Sequence, residues 1–167
     1  MSSTQKLVYF SFFITLASVL GLLEAFLPNP FPLPGVKLGL ANIVTLLVIY
    51  LFGTKEGLAI AFLRVLFVSF LSGTFLSVGF FLSLSGATVS ALVMAALKKY
   101  IPSLSIIGIS IAGAVTHNIA QLLAASVLIQ TGYIFFYLPV LLLASLPTGL
   151  STGYMARLLL PYLQNRL

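Results

Sequence analysis

Charge is almost absent from long stretches of this chain, and that absence constrains its fold more than any other feature. Only 6% of the 167 residues are Asp, Glu, Lys or Arg, none is Asp, and the mean hydropathy is +1.20. A water-soluble domain covers its surface with charge, and this chain has too little to do so. Runs such as residues 7–27 and 106–129 match the ~20 apolar residues that cross a ~30 Å hydrocarbon core. The solvent is therefore lipid, and the few polar side chains at membrane depth are where function is to be sought.

The length suits one bundle of about six short helices, a single domain over residues 1–167 with nothing left for an extramembrane unit. No cysteine is present, so neither a disulfide framework nor a thiolate metal site is available. Eight Lys/Arg against two Glu resembles the balance of a nucleic-acid binder. In a membrane protein, however, basic residues mark the cytoplasmic ends of helices, and no nucleic-acid partner is expected.

Loop signals give six expected spans, at about 7–27, 38–52, 58–71, 76–97, 106–129 and 134–160. The prediction is an all-α integral membrane protein, a six-transmembrane-helix bundle. Alternating prolines end the first span, Gly53 and Gly57 separate the second from the third, and Ser72-Gly73-Thr74 is the weakest break. Pro139 and Pro147 are expected to kink the last span. Spans two and three reach only roughly 20–23 Å and need thickening, bending or shielding by neighbours. With a cytoplasmic N-terminus, the inside collects Lys6, Lys55, Lys98, Lys99, Arg157 and Arg166, and the outside Lys37 alone. Six against one places both termini in the cytoplasm. No clean small-residue cleavage signal follows the first span, so it reads as a helix that is kept.

Several chemistries are excluded. There is no G-x-x-x-x-G-K-[ST] loop for ATP. With Glu24 and Glu56 as the only carboxylates, paired acids for Mg²⁺-dependent phosphoryl or diphosphate chemistry are missing. His117 is the single histidine, which rules out a multi-histidine metal or haem site and a Ser-His-Asp arrangement. The chain reads as non-catalytic on its own, with no cofactor and no metal.

The remaining polar groups form short clusters. Pro28, Pro30, Pro32 and Pro34 stiffen an extended segment before Gly35, Lys37, Gly39 and Asn42. This segment reads either as a rigid lid carrying a cation (Pro30, Pro32, Pro34 and Gly35 with Lys37) or as an ordinary connection with an interfacial lysine. In span five, His117, Asn118 and Gln121 share one broad face at spacings of three and four. Such a face must look inward, to bind a ligand, to join helices by polar contacts, or to relay a proton. Arg64 lies within span three. It either snorkels to headgroups, clamps an anionic group, or locks a partner. Glu24 is either an ion-pair partner for Lys37 or a solvated carboxylate. Ala17, Gly21 and Ala25 recur every four residues in span one, as Gly149 and Gly153 do in span six, and such stripes serve internal packing or docking of another membrane subunit.

Three of these features carry a resemblance. The run P-G-V-K-L-G-L-A-N at 34–42, Arg64 in a short third span, and T-H-N-I-A-Q at 116–121 resemble the family called heptaprenyl diphosphate synthase component I, also called Gx transporter. That family is similar to the substrate-binding S-components of energy-coupling-factor transporters. The resemblance covers essentially the whole chain and implies a six-helix protein with a ligand pocket opening outward beneath the loop between helices one and two. It also implies docking to a membrane coupling subunit through small residues of helix one, here Ala17, Gly21 and Ala25 with Gly in place of the middle Ala, and energy from separate ATPases. The function expected is capture of a small molecule in the bacterial cytoplasmic membrane, with Lys37, Asn42, His117, Asn118 and Gln121 as ligand contacts. One alternative is a non-catalytic partner of a prenyltransferase in polyprenyl or quinone synthesis. Another is a membrane partner in a flavin- or quinone-linked electron-transfer system.

Overall fold

The computed structural model describes residues 3–26 and 39–165. Among them the chain is all-helical, with no strand. The helices are α1 (Ser3–Phe26), α2 (Leu40–Leu51), α3 (Thr54–Leu71), α4 (Val78–Tyr100), α5 (Ile106–Ile129) and α6 (Leu138–Gln164).

The helix boundaries follow local chemistry. Gly39 takes the left-handed φ of 78° that opens α2, a conformation that favours glycine. The α4 start falls at Val78, because Ser77 caps it by accepting from the Phe80 amide at 3.3 Å. Ser105 caps α5 in the same way through the Gly108 amide. Before α6 the chain makes a 3-10 turn at Tyr133–Tyr137, so the last α-helix begins at Leu138 rather than at 134. Pro139 therefore lies in the first helical turn, where its missing N–H costs nothing, and it is not a kink. Pro147 does lie in the helix interior.

Contacts between helix ends show that successive helices run in opposite directions. Lys6 near the start of α1 pairs with Glu56 near the start of α3 at 2.6 Å. Lys98 near the end of α4 donates to the Ile49 carbonyl near the end of α2 at 2.7 Å. Ser110 early in α5 bonds Thr152 late in α6 at 2.7 Å. Lys6, Lys55, Lys98, Lys99 and Arg157 consequently gather toward one end of the bundle, here called the basic end.

Four stretches are long and apolar enough to cross a membrane: Thr4–Phe26, Val78–Tyr100, Ile106–Ile129 and Tyr133–Gln164. The chain is thus a membrane helical bundle. Helix α3 has 18 residues but carries Lys55, Glu56 and Arg64. Helix α2 has only 12 residues, about 18 Å of rise. It is apolar on all sides and buried almost throughout, from Ala41 to Ile49, which is the signature of a central helix walled off by its neighbours. The outer faces carry exposed Leu7, Phe12, Val127 and Leu143. Exposed Tyr100 and Tyr162 ring the basic end, and Tyr133, Phe136 and Tyr137 ring the other, as aromatic residues do at the two membrane interfaces.

Helices α5 and α6 pack closely because glycines let their backbones approach. A Cβ on Gly149 would stand 2.7 Å from the Ile111 Cα, and one on Gly153 2.8 Å from the Ile107 Cα. The small stripe of α6 is therefore used inside the bundle, against α5. The main apolar core, with Leu46, Ile49, Met94, Ile109 and Ala156, joins α2 to α4, α5 and α6, and a second, with Phe13, Ala17, Val48 and Ile60, joins α1 to α2 and α3.

Candidate functional site

Away from the basic end, the bundle is hollow. A cavity of about 430 Å³ opens between the end of α1, the start of α2, the second half of α3 and the inner faces of α4, α5 and α6. Its volume falls within the about 300–1,000 Å³ of small-molecule sites. Its rim includes Phe26 and Gly39, the last described residue before and the first after the connection between α1 and α2.

One wall is a relay of polar groups across three helices. Glu24 of α1 accepts a short hydrogen bond from the Gly39 amide, which sets a carboxylate on the N-terminus of α2, where the helix dipole favours negative charge. Asn42, one turn into α2, turns its Oδ1 to the Arg64 Nη2 of α3 at 2.6 Å, a charge-assisted bond. Arg64 is only 9% exposed, and its Nε–H has no partner. Its side chain reaches toward the cavity and Asn42, not toward the basic end, so it does not snorkel there. No Arg64–Glu24 ion pair within 4 Å forms; the ion pair among the described residues is Lys6–Glu56.

The opposite wall comes from α5. His117 and Asn118 line the cavity, and Asn118 Nδ2 donates to the Leu141 carbonyl of α6 at 3.0 Å. Gln121 is buried beside them but does not line the cavity. His117 and Gln121 fit because α4 has Gly86 opposite. A Cβ there would lie 2.8 Å from the Gln121 Cγ and 2.9 Å from the His117 ring.

Hydroxyls complete the lining: Ser69 of α3, Ser83 and Ser90 of α4, Ser110 of α5, and Thr148 and Thr152 of α6. Sequence reading passed over them. Serine and threonine in a helix commonly bond the preceding turn's carbonyls, as Thr152 does to Thr148 O at 2.8 Å, so their presence alone does not announce a cavity. The available signal was their recurrence at spacings of four and seven on α6 and α4.

Of the residues singled out in the sequence, Glu24, Asn42, Arg64, His117 and Asn118 meet at this cavity. Pro30, Pro32, Pro34, Gly35 and Lys37 lie outside the described residues. The α1 stripe faces inward for most of its length. Ala17 is fully buried, Gly21 lies against Val68 of α3 and Ala41 of α2, and Ala25 is exposed at the cavity rim. Among the described residues no group of three His, Asp or Glu is placed to hold a metal.

The fold defines a class: a membrane helical bundle with an internal cavity on which polar side chains converge. The chain belongs to the heptaprenyl diphosphate synthase component I family, whose model matches residues 13–159 and so takes in every cavity-lining position. No curated protein and no solved structure matches the chain.

Proposed function

We propose that this chain is a non-catalytic, membrane-embedded substrate-binding subunit of a small-molecule uptake system. It sits in the bacterial cytoplasmic membrane with six helices crossing and both termini in the cytoplasm. The observation that carries the reading is the cavity of about 430 Å³, where Arg64, Asn42, His117 and Asn118 converge, at the end of the bundle away from the basic residues. Basic residues favour the cytoplasmic side, so the cavity faces outward, where a substrate arrives. Opening a cavity lined by Arg64, Asn42, His117 and Asn118 inside an apolar bundle costs stability, and a ligand that bonds those groups offsets the cost. Similarity to S-components assigns the energy to separate ATPases and a coupling subunit.

The family name favours a second reading, in which the chain is the membrane partner of a heptaprenyl diphosphate synthase subunit. The chain's two carboxylates, Glu24 and Glu56, are too few to build the Mg²⁺ sites of such an enzyme, so its part there would be structural. Mild purification from the native membrane followed by mass spectrometry of proteins and small molecules separates the two. Co-purified ATPases and a membrane coupling subunit, with a retained polar molecule, are the expected result. A prenyltransferase partner with no ATPases and an empty cavity overturns the uptake reading.

A further inference from the structure

Arg64 is the one cation among the described residues that line the cavity, and its surroundings leave it incompletely bonded. A guanidinium has five N–H donors in a planar fork. Among the described residues one bond is made, to Asn42 Oδ1, while the Nε–H is buried with no partner. Among the described residues no carboxylate stands within ion-pair distance of it. A charge that is nine-tenths buried and so little bonded is costly unless something supplies the missing acceptors. Asn42 is a neutral amide, so it fixes the orientation of the fork without neutralising it. The arrangement has the attributes of an anion receptor: positive, oriented by Asn42, and open on one side to a cavity.

From this we infer that the cavity takes a compact molecule with a single anionic group, a carboxylate or phosphate monoester, held by Arg64 in the pose that Asn42 sets. This rests on the ligand-binding reading above and names the class of ligand. The rest of the molecule is of mixed character, because apolar side chains such as Val65, Val68 and Met94 share the lining with the hydroxyls of Ser69, Ser90, Ser110, Thr148 and Thr152. A diphosphate is a poor fit, since it brings several charges to one cation with Glu24 already on the wall. A heptaprenyl chain is too long for a cavity of about 430 Å³. The same anionic chemistry is also offered by a phospholipid headgroup, and the test separates that source from a solute.

The chain has three arginines, Arg64, Arg157 and Arg166, so ¹⁵N-arginine labelling gives a spectrum with three Nε–H signals. An Arg157→Lys/Arg166→Lys double variant assigns that of Arg64. The full chain in maltoside micelles, which carry no anion, is titrated with acetate, inorganic phosphate and pyrophosphate. Native mass spectrometry of the same protein from its own membrane reads what it retains. Acetate or phosphate is expected to move the Arg64 Nε–H signal saturably at millimolar concentration. Pyrophosphate is expected to bind no more tightly. Arg64→Gln should weaken binding at least about tenfold, with Arg64→Lys in between because it keeps charge but loses the fork. Asn42→Ala should weaken it severalfold with the charge intact.

A silent Arg64 signal with a neutral molecule retained overturns the anion inference and leaves the pocket reading standing. A silent signal with nothing retained overturns both. Pyrophosphate at least about tenfold tighter than phosphate overturns the single-anion class. A phospholipid as the retained species reassigns Arg64 to a headgroup and overturns the solute.

Discussion

The two ends of this bundle are built from similar helices and handle charge in opposite ways. At the basic end the charged contacts tie helices to one another, and the open space left is a surface groove beside Lys6 and Glu56. Lys98 donates to the last carbonyls of α2 and lies 4.8 Å over the Tyr50 ring, Lys6 pairs with Glu56, and Gly57 lets α3 settle on the fully buried Ile49. At the other end Arg64 is more deeply buried than any of these cations, yet it borders a cavity and keeps an unpartnered donor. Charge at the basic end orients and fastens the protein. Charge at the cavity end borders open space, and under the reading proposed above it is kept for a ligand.

The contrast can be broken by experiment, most severely through packing. Gly57→Val at the solid end forces a Cβ to within 2.2 Å of the Ile49 side chain, and we expect a loss of about 3 kcal/mol in unfolding free energy in detergent. Gly79→Ala at the cavity rim meets only Ser77 Oγ at 3.6 Å and should leave stability within about 1 kcal/mol of the parent, on the favourable side. Equal losses in the two variants would mean that the hollow end is as tightly packed as the solid one.

Charge deletion should have opposite signs at the two ends. Arg64→Met removes a buried cation with few partners, and the unliganded protein should melt no lower than the parent, with a gain of up to about 2 kcal/mol. Lys98→Met takes the cap from the end of α2 and should cost about 1 kcal/mol by the same measurement. A marked loss in Arg64→Met would show that Arg64 holds the fold together and is not a group kept for a ligand.

The smallest effect concerns acid. The hydrogen bond from Lys6 holds the Glu56 carboxyl below the usual carboxylate range. A lowered value in the folded state gives stability that is fully present above the unfolded value and is lost as pH falls through the folded one. Glu56→Gln should therefore lower stability at neutral pH by a few tenths of a kcal/mol at this partly exposed pair, match the parent in acid, and so flatten the shallow acid limb. Melting curves below the ordinary carboxylate range, compared with those at neutral pH, check it.

Much of the candidate site was legible in the sequence because polar residues are costly in lipid. Rarity alone picked out Glu24, Asn42, Arg64, His117 and Asn118, and the structure gathers them around one cavity. Gln121 shares their helix face but packs against α4 at Gly86, since face membership fixes a direction and not a depth. The hydroxyl wall escaped because serine and threonine satisfy themselves on their own helix. The stripe of α1 was ambiguous for a related reason: small residues permit a close approach without naming the neighbour, and here Val68 of the same chain takes the place beside Gly21.

The sequence by itself determined that the chain is helical, that it lives in lipid, roughly where each helix ends, and which end of the bundle is basic. Those properties follow from composition, capping residues and the lengths of apolar runs, all of which act locally. Only the tertiary structure decided that short α2 is the central helix, that Arg64 turns to Asn42 and away from the headgroups, and that the bundle is solid at one end and hollow at the other. Those outcomes depend on which helix faces meet. Residues far apart in the chain set that jointly, through glycines whose neighbours no local pattern reveals.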